Sequence, residues 1–568
     1  MTNYQFTGGT ICAPATIPGT GAISIIRVSG KESLAIADKV IDTKGVPIAE
    51  TEGYRLRYGT VFEADGSVLD NVIVSVFRAP HSYTGENSVE ISCHASRFIV
   101  NKILELLVNA GARIAAPGEF TRRAFVNGKM DLAQAEAVAD VIASQSAASH
   151  RVAMNQLKGG FSSELKVLRE KLLTMTSLLE LELDFSEEDV EFASRKELGQ
   201  LVDDSLTHIR RLTASFSRGN AIKNGVPVAI VGATNTGKST LLNALLGEER
   251  AIVSDIAGTT RDTIEETLNI DGILFRFIDT AGIRETDETI EKIGIDRTFK
   301  KLGEATVVLG MTDLSRGEAT VLEDADFILS KVNEMGGVKN VAAVNDGAET
   351  GGASLAETGG TSPAGTGGAH PAETGGATMA ETGGTTPAET GGASQHGHGD
   401  GQERKVVILV NKCDVAGDFY RDDNGTGYGS GYDLGEDMTE IGGNKNVNRD
   451  NNIVSLIENK YDNCKVIPIS AKTGKGLSTL TKTLGEIGSE ITGSTDETLV
   501  TNVRHYEALV RAASALERVR AGLHIATLPP DLIAQDLREA LYHLGEIVGE
   551  ITTDETLGNI FRNFCIGK

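Results

Sequence analysis

Cysteine is scarce in this 568-residue chain: Cys12, Cys93, Cys413, Cys464 and Cys565 are five in all, odd in number and widely scattered. That pattern excludes a disulfide framework or a CxxC zinc site and fits reduced thiols in the cytosol. No apolar run approaches the roughly 18 residues a membrane helix needs. Met1 to Thr10 offers neither a basic n-region nor an apolar h-region, so no secretion signal is expected. Positive charge is also short, with 54 Lys and Arg against 79 Asp and Glu and a formal charge of -25. A general nucleic-acid coat is thereby excluded, because phosphate binding wants clustered Lys and Arg. Any RNA contact must be local or shared with a partner. At about 150 residues per domain the length suggests roughly three to four domains. The expectation is a soluble, cytoplasmic, multidomain protein without membrane contact.

Aromatic residues are missing between Phe327 and Phe419, where an eight-residue unit starts at Ala348, Ala356, Ala364, Ala372, Ala380 and Ala388. Most units read AETGG followed by Ala or Thr. Such repeats lack the apolar positions a solenoid stacks and cannot offset the entropy of ordering. They read as a disordered insertion, with a functional tether as the alternative. The Gly-, Asp- and Asn-rich stretch Ala416 to Asn452 reads the same way.

The rest is strongly patterned. Residues up to about Asn127 mix β-rich runs (Ile23 to Val28, Val72 to Phe77) with a helical stretch near Phe98 to Val108, a small α+β domain. From Asp131 about 90 residues read as helical. Leu165, Leu168, Leu172, Met175 and Leu179 form one helical stripe, and Leu537, Leu541, Leu544, Val548 and Ile551 another. Both read as core packing. Between them, strand candidates Val228 to Val231, Leu274 to Ile278, Val307 to Leu309, Val406 to Val410 and Val466 to Ile469 alternate with helical patterns. They imply a parallel sheet with ligand sites at its strand ends. An α/β domain is thus expected inside a discontinuous all-α domain. The boundaries read as 1–127, 128–222, 223–494 (insertions about 330–403 and 416–452) and 495–568.

After the strand at Val228 comes Gly232-Ala-Thr-Asn-Thr-Gly237-Lys238-Ser239, then Thr240 opening a helix. This is GxxxxGK[ST] in its strand-loop-helix context. Backbone amides wrap the phosphates, Lys238 reaches the terminal ones, and Ser239 holds Mg²⁺. Asp279-Thr280-Ala281-Gly282 ends the next strand; Asp279 suits the Mg²⁺ shell and the Gly282 amide the γ-phosphate. Asn411-Lys412-Cys413-Asp414 supplies a carboxylate for guanine N1 and its exocyclic amine. Ser470-Ala471-Lys472 is positioned to meet guanine O6. A kinase or ATPase would not need the Asp414 reader, so the site reads as one for GTP. Asn235, Thr236, Gly237, Lys238, Ser239 and Thr240 form its first loop. Ser254, Asp255, Ile256, Ala257, Gly258, Thr259 and Thr260 form switch I, with Thr260 offered to Mg²⁺. Ras-type switches place a Gln directly after the DxxG glycine. Here that residue is Ile283, which cannot orient water. The Asn235 amide oxygen is a ligand type for a monovalent cation, and K⁺ would supply the charge an arginine finger supplies elsewhere. Glu291 lies in an acidic run and reads from spacing alone as a solvated carboxylate.

GTTRD at Gly258 to Asp262 and DTAGIRETDETIEKIG from Asp279 resemble the MnmE (TrmE) family of tRNA uridine-modification GTPases. So do Ser82-Tyr-Thr-Gly-Glu86, the run from Pro117 to Glu136, Leu183 to Phe192, Ile547-Val-Gly-Glu-Ile551 and the C-terminal Phe564-Cys-Ile-Gly-Lys568. The resemblance implies a Ras-like P-loop G domain and a homodimer joined through an N-terminal domain similar to a tetrahydrofolate-binding fold. It implies that Arg27, Glu90, Lys129 and Lys568 contact a folate carrying the one-carbon unit, where sequence alone ranks them as surface charges. It further implies K⁺ held by Asn235, Ser254, Ile256 and Thr259, and Glu291 as the catalytic glutamate acting through water. With an FAD-dependent partner, MnmG (GidA), such proteins place an aminomethyl or carboxymethylaminomethyl group on C5 of the tRNA wobble uridine. The Cys565 thiol is a candidate nucleophile toward the pyrimidine ring; a small buried hydrophobe is the competing reading. This chain departs from the family at Ala233 and Thr234, where Arg and Pro are usual, at Cys93-His94-Ala95-Ser96 in place of Gly-His-Gly-Gly, and in its insertions.

Two other readings compete: a regulatory or ribosome-assembly GTPase without base chemistry, and a scaffold disabled by its insertions. The folate-like domain and the C-terminal Cys-Ile-Gly-Lys favour the modification enzyme.

Overall fold

The structure is a computed structural model and describes residues 8–184, 194–249, 266–278, 304–334, 404–414, 453–461, 464–493, 497–525, 529–562, 564 and 567. The octapeptide repeats and the stretch 416–452 lie outside the described residues.

The N-terminal unit is a seven-stranded sheet of β1 (Ile11–Pro14), β2 (Ile23–Ser29), β3 (Ile41–Asp42), β4 (Arg55–Phe62), β5 (Val68–Phe77), β6 (Ser88–His94) and β7 (Arg113–Ile114). Their order is β3-β4-β5-β6-β2-β1-β7. Alternation decides its faces: Val72, Val74 and Val76 of β5 are buried, while Ile73 faces out. Helices α1 (Ser33–Val40) and α2 (Arg97–Asn109) cover the buried face, with Ile36, Ile103 and Leu107 in its core. A short helix α3 (Glu119–Val126) follows.

Next come α4 (Leu132–Ala143), α5 (Ala147–Leu157), α6 (Gly160–Asp184), α7 (Arg195–Ala214) and α8 (Phe216–Asn224). Capping boxes start α4 (Asp131 with Gln134) and α5 (Ser146 with Ser149), satisfying amides that a helix start leaves unpaired.

The chain then enters a six-stranded sheet of β8 (Val226–Gly232), β9 (Glu266–Ile270), β10 (Ile273–Ile278), β11 (Val307–Asp313), β12 (Lys405–Asn411) and β13 (Lys465–Pro468). The order is β13-β12-β11-β8-β10-β9, parallel throughout except the β9–β10 hairpin. The five sequence-expected strands are all present, each lengthened or shifted by a residue or more. Helices α9 (Lys238–Glu249), α10 (Glu318–Glu334), α11 (Ile453–Lys460) and α12 (Leu477–Thr492) cover both faces. Buried on both sides, β8 sends Val226, Val228 and Ile230 into one core and Ala229 and Val231 into the other.

After this sheet the chain resumes as α13 (Val503–Leu523), α14 (Pro530–Val548) and α15 (Asp554–Arg562). One core unites helices from before and after the sheet: Leu165, Leu172, Leu206 and Ile209 pack with Leu509, Leu516, Leu537 and Leu544. The α6 stripe lies in it or against it, as does the α14 stripe up to Val548. Ile551 departs from that reading. It lies beyond α14, which stops at Gly549 with φ +86°.

Candidate functional site

At the end of β8 the backbone turns at Gly232, φ +153°, where a Cβ would strike the Met311 carbonyl on β11. Gly237 has φ +99°, and a Cβ there would collide with the Asn411 amide nitrogen. Between them Asn235 takes φ +61°, a left-handed conformation that Asn tolerates better than most residues. The loop closes on itself, with Thr236 Oγ1 donating to the Ala233 carbonyl at 2.9 Å. Lys238, the first residue of α9, folds its ammonium into this loop and donates to the carbonyls of Gly232 (2.9 Å) and Ala233 (2.8 Å). Burial lowers its pKa from the ordinary lysine value. The start of α9 thus sets a cation beside a helix N-terminus, the arrangement that receives phosphate.

Two further loops meet this one. Asn411, at the end of β12, donates from Nδ2 to the Thr236 carbonyl at 2.7 Å and accepts the Ala471 amide on Oδ1 at 3.0 Å. One buried amide therefore laces the phosphate-type loop to the Ser470-Ala-Lys472 loop. Ser470 is buried and its carbonyl takes the Gly474 amide at 2.9 Å, so that loop is a closed turn; Lys472 points to solvent. Asp414 follows half-buried on the same turn as Asn411. Ser239 and Thr240 lie in the first turn of α9. Ser254, Asp255, Ile256, Ala257, Gly258, Thr259, Thr260, Asp279, Thr280, Ala281, Gly282, Ile283 and Glu291 lie outside the described residues.

A second cluster occupies the N-terminal sheet. Arg27 on β2 stands in register opposite Glu90 on β6, and the pair is joined at 2.9 Å (Nε to Oε1) and 2.8 Å (Nη2 to Oε1). Tyr83 and Phe120 flank the guanidinium, with ring centroids 5.1 Å and 5.7 Å away. Neither charge is an ordinary surface charge, since both side chains are three-quarters or more buried. Arg27 Nη1 also reaches the Gly567 carbonyl at 3.5 Å, so Gly567 is seated beside it. Gly567 has φ +98°, and a Cβ there would strike the Pro14 carbonyl. Lys129 is exposed and donates to the Pro80 carbonyl at 3.1 Å, on the loop that carries Tyr83. Cys565 and Lys568 lie outside the described residues.

Sequence reasoning missed what supports this cluster. Arg123, 4% exposed, binds both oxygens of Glu86 (3.1 and 3.0 Å) and Glu119 Oε1 (2.9 Å). Glu119 also accepts from Arg113 at 2.8 Å. Burial works against its charge, but the hydrogen bonds from Arg113, Ala116 and Arg123 prevail and hold its pKa below the usual range. The network ties the Tyr83 loop to α3. Glu86, Glu119 and Arg123 all lie in the motif runs Ser82 to Glu86 and Pro117 to Glu136, but nothing in one dimension pairs them.

A parallel, doubly covered sheet whose first strand feeds such a loop, with an Asn-Lys-x-Asp turn laced to it, defines a P-loop GTP-binding protein. Two family descriptions match: "MnmE helical domain" over residues 132–565 and "GTP-binding protein TrmE N-terminus" over residues 10–129. The tRNA modification GTPase MnmE of Parabacteroides distasonis is 43% identical over 566 residues, covering 98% of this chain and 100% of that protein. That of Bacteroides thetaiotaomicron is 42% identical over 562 residues, 98% and 99%. That of Porphyromonas gingivalis is 41% identical over 570 residues, 100% and 99%. The chain belongs to the MnmE family of tRNA modification GTPases.

Proposed function

We propose that this chain is a K⁺-activated GTP hydrolase that works with an FAD-dependent partner of the MnmG (GidA) kind. Together they add an aminomethyl or carboxymethylaminomethyl group to C5 of the tRNA wobble uridine, drawing on a tetrahydrofolate one-carbon unit. The observation that carries the GTP part is Asn411, whose one side chain holds the phosphate-type loop and the Ser-Ala-Lys loop at a fixed separation. A nucleoside triphosphate needs both ends of its site in register, and the domain arrives with that register built in.

In this reading Lys238 neutralises the terminal phosphates, and the α9 amides orient them. Asp414 accepts from guanine N1 and the 2-amino group, while the Ala471 and Lys472 backbone faces O6. Among the described residues no cluster of three or more His, Cys, Asp or Glu side chains is placed to hold a metal ion. Mg²⁺ would rest on the hydroxyls of Ser239 and Thr260 and on phosphate oxygens, with Asp279 in its shell. K⁺ would rest on the Asn235 amide oxygen, at an exposed left-handed position on the loop's rim, with Ser254, Ile256 and Thr259. These cations would supply positive charge where the leaving diphosphate gains negative charge. Glu291 orients water in place of the missing glutamine.

For the folate part, support comes from Arg27 and Glu90, which offer opposite charges side by side under two aromatic rings. Lys129 and Lys568 suit the glutamate carboxylates and Glu90 the pterin amine and ring NH, while Arg27, joined to Glu90, would lie at the same end as the pterin. The protein works as a homodimer with tRNA as substrate. Among the described residues no helix is long and apolar enough to cross a membrane.

Gene deletion followed by mass spectrometry of wobble nucleosides tests the proposal. Loss of 5-aminomethyl-type uridines, restored by the intact gene but not by Glu291→Ala, is the expected result. Unchanged uridines would leave a regulatory GTPase without base chemistry.

A further inference from the structure

Lys412 sits in the left-handed region at φ +65°, which disfavours any residue with a Cβ. What holds it there lies on the neighbouring strand. Asp313 ends β11 in register with Asn411 of β12, and its Oδ2 meets the Lys412 ammonium at 2.6 Å. Its Oδ1 accepts the Ser315 amide at 3.0 Å and the Ser315 hydroxyl at 2.6 Å. Three donors converge on a carboxylate that is 4% exposed, which leaves it one orientation. Burial opposes its ionisation, but Lys412 and Ser315 prevail and keep it below the usual carboxylate range.

The other ties of this turn run elsewhere. Asn411 is committed to Thr236 and Ala471, and the Cys413 amide donates to the Ile469 carbonyl at 3.2 Å. These fasten the turn toward the phosphate-type loop and the strand end after β13. Asp313 fastens it toward β11, so the backbone between Asn411 and Asp414 is braced from both sides.

We propose that Asp313 is the positioning residue of the guanine-reading turn. Acting through Lys412, it fixes the aim of Asp414 and so sets the preference for a purine that carries a 2-amino group. This rests on the reading of Asp414 as the guanine reader, and the two fail differently in experiment.

The test is fluorescence titration of the full chain with GDP and with inosine diphosphate, which lacks the 2-amino group. Asp313→Asn keeps the shape and the Ser315 hydrogen bonds but loses the charge. A hydrogen bond to a charged group contributes about 1.5–3 kcal/mol. GDP affinity is therefore expected to fall between about tenfold and a hundredfold, and inosine diphosphate affinity by less, so that the preference narrows. kcat at saturating GTP should stay within twofold while KM rises. Lys412→Met, which keeps the stem, should reproduce the loss, and adding Asp313→Asn to it should cost nothing further. Unchanged GDP affinity in Asp313→Asn, or additive losses in the double variant, would overturn the proposal. Should the unaltered chain fail to prefer GDP over inosine diphosphate, the Asp414 reading itself falls.

Discussion

Glu136 Oε2 lies 2.6 Å from Nε2 of His505, a residue 369 positions later in the chain. Arg504 grips the same carboxylate at 3.0 and 2.9 Å and donates to the Glu546 and Ile547 carbonyls at the end of α14. His505 is fully buried and Glu136 nearly so. One carboxylate therefore joins α4, which precedes the inserted sheet, to α13 and α14, which follow it.

Removing that carboxylate leaves the largely buried Arg504 guanidinium without its counter-charge and the buried His505 ring without its partner. Breaking a buried pair this way costs about 3–5 kcal/mol. Glu136→Ala should accordingly lower the thermal midpoint of the helical unit by several degrees, and Glu136→Gln by less. Calorimetry decides it: a midpoint within one degree of the parent would show that the carboxylate contributes nothing.

Acid should remove the same stabilisation. Burial alone would raise the Glu136 pKa, but the charges and hydrogen bonds of His505 and Arg504 prevail and bring it down to about 2. A carboxylate depressed in the folded state stabilises above its unfolded value, about 4.3, and loses that contribution as pH falls toward 2. The stability difference between the parent and Glu136→Gln should be constant above about pH 7, where His505 is neutral, and shrink steadily below about pH 4. A difference that stays flat down to pH 3 would contradict this assignment.

Asn411→Ala would orphan the Thr236 carbonyl and the Ala471 amide together. Each unsatisfied buried group costs about 1–3 kcal/mol. GDP binding is expected to weaken between about tenfold and a hundredfold, read by nucleotide fluorescence, with little change in the far-ultraviolet helix signal. Parent-like affinity would remove Asn411 from the account of the site.

At the N-terminal cluster, Glu90→Gln should abolish or weaken at least tenfold the calorimetric binding of a formyltetrahydrofolate while leaving GTP hydrolysis within twofold. Gly567→Val, whose side chain would meet the Pro14 carbonyl, should unseat the C-terminal tail and give the same pattern. Folate binding that survives both changes would place the one-carbon site elsewhere.

The two loops that meet at Asn411 were legible because they are local motifs whose spacing survives in one dimension. Gly232 to Ser239 needed only a strand before it and a helix after it. Asp313 was not legible: it looks like any turn aspartate in Thr312-Asp-Leu-Ser until β11 and β12 fall into register. Arg27 and Glu90 stand 63 positions apart, and only sheet pairing makes them neighbours. The edge strand β9 was missed because just two of its five residues, Leu268 and Ile270, are buried. Ile551 was over-read for the opposite reason. A periodic stripe continues in sequence past Gly549, whose left-handed backbone ends the helix.

The seam through which the inserted domain leaves and rejoins the helices has a consequence for its tolerance of change. The Val500 amide donates to Ser215 Oγ at 3.1 Å, Arg218 pairs with Glu497 at 2.8 Å, and Gly219 lies directly against the Val500 carbonyl. To the helical core, everything from Gly225 to Thr492 is a single loop whose ends are already pinned together. Closure entropy grows only with the logarithm of loop length, about 0.6 kcal/mol per doubling. Repeats added far from the seam therefore weigh almost nothing on the helices, and the chain can lengthen there by tens of residues without loosening what surrounds Glu136.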